Sequence, residues 1–129
     1  MKKRLKVFIL DDSREVSGRL VSMLAEIDGT EVVGLANNSE EVRGMIRKLQ
    51  PNAIIMDSGL PSANRVKTLI REIKRFHPRT KVIIFSHHAS LRYREKCLDM
   101  GADFYFNKST EFEKVPQTIT KWVHEYCQS

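Results

Sequence analysis

The sequence predicts an α/β domain of three layers: a doubly wound parallel sheet of five strands, order 2-1-3-4-5, with five helices on its two faces. Three observations predict it. The 129 residues are 41% hydrophobic and 29% charged, which suits one globular domain and excludes a disordered chain. Five short apolar runs alternate with five stretches of helical spacing, and apolar strands joined by crossover helices belong to parallel sheets covered on both faces. Right-handed crossovers then leave few topologies for so small a unit.

The strands are predicted at Lys6–Leu10, Glu31–Ala36, Ala53–Met56, Lys81–Phe85 and Phe104–Phe106. Val16, Leu20, Leu24 and Ile27 share the face of a first helix, ended by the Asp28-Gly29 turn. Val42, Met45, Ile46 and Leu49 line a second, opened by Asn38 or Ser39 and stopped by Pro51. Val66, Leu69, Ile70, Ile73 and Phe76 line a third, stopped by Pro78. Leu91, Leu98 and Tyr93 mark a weaker fourth, ending at Gly101. Val115, Ile119, Trp122, Val123 and Tyr126 mark a fifth. Pro116 leaves its start open. A start near Glu113 puts the proline in the tolerated first turn, whereas a capping box of Thr110 with Glu113 would bury it deeper in the helix.

Composition narrows the function classes. Met1-Lys2-Lys3-Arg4 resembles the basic head of a secretion signal, but the apolar run after it is only Val7–Leu10 and ends in acid. No stretch approaches the ~18 apolar residues of a membrane span, so a cytoplasmic protein is expected. Cys97 and Cys127 do not make a disulfide framework. The net charge of +6 raises nucleic acid or an acidic partner. The basic residues spread over the predicted third helix (Arg65, Lys67, Arg71, Lys74, Arg75) and fourth helix (Arg92, Arg94, Lys96), with no base-stacking platform or helix-turn-helix. Direct nucleic-acid binding is therefore not expected.

In sheets of the flavodoxin-like order, ligands bind beyond the carboxyl ends of the strands. Strand 1 runs into Asp11-Asp12, strand 3 into Asp57, strand 4 into Ser86 and strand 5 into Asn107-Lys108. Taken singly, each is an ordinary cap, turn or surface residue. Together they place three carboxylates, a hydroxyl and an ammonium on one rim. Oxygen-only donors suit a hard cation, Mg²⁺ above others because it bridges carboxylate and phosphate oxygens. A carboxylate in such a site can attack phosphorus to form an acyl phosphate, and a lysine offsets charge on the transferring group. Asp57, on the central strand, is the best nucleophile.

This ordered set resembles the receiver domains of two-component response regulators, relatives of the chemotaxis regulator, over essentially the whole chain. The matching residues are Asp11-Asp12, Asp57, Leu60-Pro61, Ser86, Gly101-Ala102, Tyr105 and Lys108. The resemblance implies Asp57 as phosphoacceptor. It implies Mg²⁺ held by Asp12, Asp57 and the carbonyl of Gly59, with Asp11 acting through water. It implies Lys108 and Ser86 on the phosphoryl group, and Ser86 with Tyr105 as a switch whose ring turns inward. The implied partners are a histidine kinase or histidine phosphotransfer protein and a downstream protein. The surface of the fourth helix, fifth strand and fifth helix would be read by that partner or by a second copy. A receiver without an output domain is expected, with the receiver part of a DNA-binding regulator as the alternative. A phosphohydrolase passing through an aspartyl phosphate is the rival from another class. It needs a second acid two residues beyond the nucleophile, where Gly59 stands.

Three positions depart from the family. His87 stands where a small residue follows the switch hydroxyl, and His88 follows it. With Gly59, these two are the candidates for tuning phosphoryl lifetime. No glycine follows Leu60-Pro61 up to Arg65, and Ser109 replaces the proline common after the lysine.

Overall fold

The computed structural model describes residues 3–37, 41–57, 63–87 and 90–127. Ten elements alternate along the chain: β1 (Leu5–Leu10), α1 (Arg14–Ala25), β2 (Thr30–Ala36), α2 (Val42–Leu49), β3 (Ala53–Asp57), α3 (Ala63–Phe76), β4 (Lys81–Ser86), α4 (Leu91–Asp99), β5 (Phe104–Asn107) and α5 (Lys114–Cys127). The strands form one sheet in the order β2-β1-β3-β4-β5, and its pairings are parallel. Both layer arrangement and strand order are those the sequence predicts.

Alternation along each strand divides the core in two, because successive side chains leave opposite faces. Phe8, Leu10, Ile54, Met56, Val82 and Ile84 meet α2, α3 and α4. Val7, Ile9, Ile55, Ile83, Phe85 and Phe106 meet α1 and α5 through Leu20, Leu24, Val115, Ile119 and Trp122. The central strand β3 is buried along its whole length. β2 lies at the edge, and its register with β1 shifts between Val7 and Phe8. Gly34 sits beside that shift because a Cβ there would come within 2.8 Å of the Phe8 ring and 3.0 Å of Leu49.

Two local expectations change, and one open question is settled. Phe76 ends α3 and stands 67% exposed, its ring under the Arg75 guanidinium, so the buried stripe of α3 stops at Ile73. Leu91 is 71% exposed, whereas Leu98 and Tyr93 pack against the core as predicted and Cys97, outside the predicted stripe, is buried with them. α5 begins at Lys114, which settles the open question: Pro116 falls in the first turn, where its missing N–H has no helical acceptor to lose. The predicted opening of α2 at Asn38 or Ser39 lies outside the described residues.

Candidate functional site

The carboxyl ends of β1, β3, β4 and β5 meet at one rim. At the first, Ser13 rather than Asp12 caps α1: its Oγ accepts from the Val16 N–H at 3.2 Å. Asp11 Oδ1 accepts from the Ser13 N–H at 2.8 Å. The division matters, because it leaves the exposed Asp12 carboxylate to the pocket.

Lys108, one residue past β5, reaches back into the carboxylates. Its Nζ lies 2.8 Å from Asp11 Oδ2 and 3.2 Å from Asp57 Oδ1, and all three side chains are almost wholly buried. Burying an ammonium costs several kcal/mol unless it is paired, and here two carboxylates offset that cost. Its Nζ lies 6.0 Å from the centroid of the Phe85 ring.

Carboxylate oxygens of Asp11, Asp12 and Asp57 all lie within 4.8 Å of one another. Desolvation, a hydrogen bond with Asp57 and the charges of Asp57 and Asp11 push the Asp12 carboxyl up, against the opposing pull of Lys108. With Lys108 counted, the cluster carries two net negative charges. The donors are all oxygen, and a hard divalent cation matches both their chemistry and that charge. The residues thus fit Mg²⁺, with Asp12 and Asp57 as the carboxylates able to hold it and Asp11 already bonded on both oxygens.

Ser86 ends β4, wholly buried, and its carbonyl accepts from the Lys108 N–H at 2.8 Å. Tyr105 is 5% exposed, its ring edge-on to Tyr93 at 6.1 Å between centroids. The ring therefore already lies inside. His87 is exposed at the rim, its Nδ1 3.3 Å from Ser109 Oγ. Gly59 and His88 lie outside the described residues. Two residues of the site's framework escape the sequence reading: Glu111, unremarked there, and the side chain of Asn107, noted only as a strand end. Glu111 Oε1 accepts from the Asn107 N–H at 3.1 Å, and Asn107 Oδ1 accepts from Ser109 and Thr110. The available signal was an asparagine just after a strand with Ser-Thr two and three residues on, the pattern of an Asx turn.

Comparison with known proteins shows the family. The chain is 31% identical over 115 residues to the response regulator GacA of Pseudomonas syringae pv. syringae, covering 89% of this chain and 53% of that protein. It is 37% identical over 109 residues to protein-glutamate methylesterase/protein-glutamine glutaminase 4 of Hahella chejuensis, covering 83% of this chain and 28% of that protein. It thus spans about half the length of the first relative and less than a third of the second. The fold matches the signal receiver domain of the response regulator NarL from Mycobacterium tuberculosis, with a TM-score of 0.80, 19% identity and 98% of each chain covered. The family model of the response regulator receiver domain matches residues 7–120, and this chain belongs to that family.

Proposed function

We propose that the chain accepts a phosphoryl group on Asp57 from a histidine kinase or histidine phosphotransfer protein. One observation carries the assignment: the buried Lys108 ammonium bridges Asp57 and Asp11 beside a third carboxylate. An Asp57 oxygen attacks phosphorus; its P–O bond forms as the donor's P–N bond breaks, and the departing imidazole keeps the electron pair. Asp12 and Asp57, with the Gly59 carbonyl that the family resemblance implies, would hold Mg²⁺, which would neutralise charge on the phosphoryl oxygens and carboxylates. Lys108 trades one carboxylate contact for a phosphoryl oxygen, which offsets charge where it develops. The Ser86 hydroxyl donates to another phosphoryl oxygen. With Tyr105 already inside, phosphorylation would hold the ring there and stabilise one packing of the face formed by α4, β5 and α5. A downstream protein, or a second copy of the chain, would read that face.

Arg92, Arg94 and Lys96 are exposed on α4 together with Glu95 and Asp99, so the helix offers a partner a mixed-charge surface with one net positive charge. The relatives' outputs differ, a response regulator in one case and a methylesterase in another, so the receiver reading is common to both and neither output is carried over.

Incubation with acetyl phosphate and Mg²⁺, followed by intact mass, tests the assignment. One hydroxylamine-labile phosphoryl adduct is expected on the wild type and none on Asp57→Asn. A folded wild type that takes no adduct overturns it, and turnover of a phosphate ester substrate would favour the phosphohydrolase.

A further inference from the structure

Lys108 works only if its backbone is held at a fixed distance from Asp57, and the segment that holds it has no proline: it reads Asn107-Lys108-Ser109-Thr110-Glu111. Each of its five backbone N–H groups nonetheless has an acceptor. Asn107 N–H donates to Glu111 Oε1 at 3.1 Å. Lys108 N–H donates to the Ser86 carbonyl at 2.8 Å. Ser109 and Thr110 N–H both donate to Asn107 Oδ1, at 2.8 and 3.2 Å. Glu111 N–H donates to the Asn107 carbonyl at 2.8 Å. Asn107 and Glu111 thus close on each other twice, side chain to backbone and backbone to backbone, with Lys108 enclosed between them. Glu111 is itself held by Lys114, whose Nζ lies 2.6 Å from Oε2.

We infer that Asn107 and Glu111 are positioning residues for Lys108, locking the loop so that the ammonium is set for phosphoryl transfer to Asp57. The inference rests on the phosphotransfer reading above. A simple helix-capping role does not account for the arrangement, because the box closes around residue 108 and α5 starts only at Lys114. An acceptor at residue 107 is what matters, so aspartate can replace asparagine and alanine cannot. Likewise glutamine at 111 keeps the acceptor for the Asn107 N–H, whereas leucine removes it.

The test compares Asp57 phosphorylation by acetyl phosphate at saturating Mg²⁺, Mg²⁺ affinity by titration calorimetry, and urea midpoints. Asn107→Ala is expected to slow phosphorylation at least about tenfold, within the roughly hundredfold loss that a 1 Å misplacement of a catalytic group can produce, with Mg²⁺ affinity unchanged. Asn107→Asp is expected to restore the rate. In a Lys108→Ala background, Asn107→Ala is expected to cost nothing further, since two residues acting through one group are not additive. An unchanged rate for Asn107→Ala overturns the inference. So does the same fold-loss in the Lys108→Ala background, which would mean a role independent of the lysine. If Asn107→Ala does not fold, Glu111→Gln against Glu111→Leu makes the same comparison. A wild type phosphorylated at Asp57 separates failure of this inference from failure of the phosphotransfer reading; a wild type that takes no phosphoryl group overturns both.

Discussion

Removing a carboxylate from the pocket should make the metal-free protein more stable. The perturbation is Asp12→Asn, which keeps shape and deletes charge. Oxygens of Asp11, Asp12 and Asp57 lie within 4.8 Å of one another. Two unit charges at that separation repel by about 0.9 kcal/mol in water and about 3.5 kcal/mol at an effective dielectric of 20. Asp12 faces two carboxylates and one ammonium, so roughly one repulsion survives, and its exposure puts the value near the aqueous end. The variant should therefore gain about 1 kcal/mol in EDTA, a rise of about 3–5 °C in Tm for a domain this size. Mg²⁺ should reverse the order. At a concentration 100 times its Kd the cation stabilises the wild type by about 2.7 kcal/mol, and a tenfold weaker site gains only about 1.4 kcal/mol. The assay is urea unfolding of both proteins in EDTA and in MgCl2. Lower stability of Asp12→Asn in EDTA would refute the repulsion, and an equal Mg²⁺ gain in both proteins would refute Asp12 as a ligand.

Two further outcomes follow from the titrating groups. The Lys114 ammonium bonded to Glu111 holds that carboxyl below its usual range, so the group favours the folded state above its unfolded pKa and loses that contribution as pH falls through the lower folded value. Urea midpoints of wild type and Glu111→Gln should differ at pH 7 and converge under acid; a gap that widens as pH falls would contradict this. Burial pushes the Cys97 thiol above its ordinary value despite a hydrogen bond with Tyr93 and the charge of Lys67. In a Cys127→Ser background, Ellman's reagent should label the chain only after unfolding, and rapid labelling of the native protein would show that α4 opens readily.

The layers, strand order and general place of the site were legible in the chain. Strand runs such as Ala53–Met56 are apolar throughout, and a sheet covered on both faces buries such runs. The topology then brings Asp11, Asp12, Asp57, Ser86 and Lys108 to one rim whatever the side-chain details. Periodicity reports which faces can be buried, but it carries no information about how far a neighbour extends. Phe76 and Leu91 fit their helical stripes and are still exposed, because each stands at a helix end where the core packing stops. Cys97 is buried although it lies outside the stripe predicted for α4.

Caps and loop closures were the part only the tertiary structure decided. Asp12 and Ser13 are equally good caps by residue type, and the geometry assigns the cap to Ser13 and the Asp12 carboxylate to the pocket. Asn107 and Glu111 meet because the loop after β5 folds back on itself, a pairing set by backbone direction rather than by apolar pattern. The bridge from Lys108 to Asp11 and Asp57 likewise joins residues far apart in the chain. The sequence by itself determined that acid and base would gather at one end of the sheet, because strand ends are set by hydrophobic length and order. Which oxygen meets which nitrogen depends on distances of a few tenths of an ångström, and only packing of the whole chain determines those.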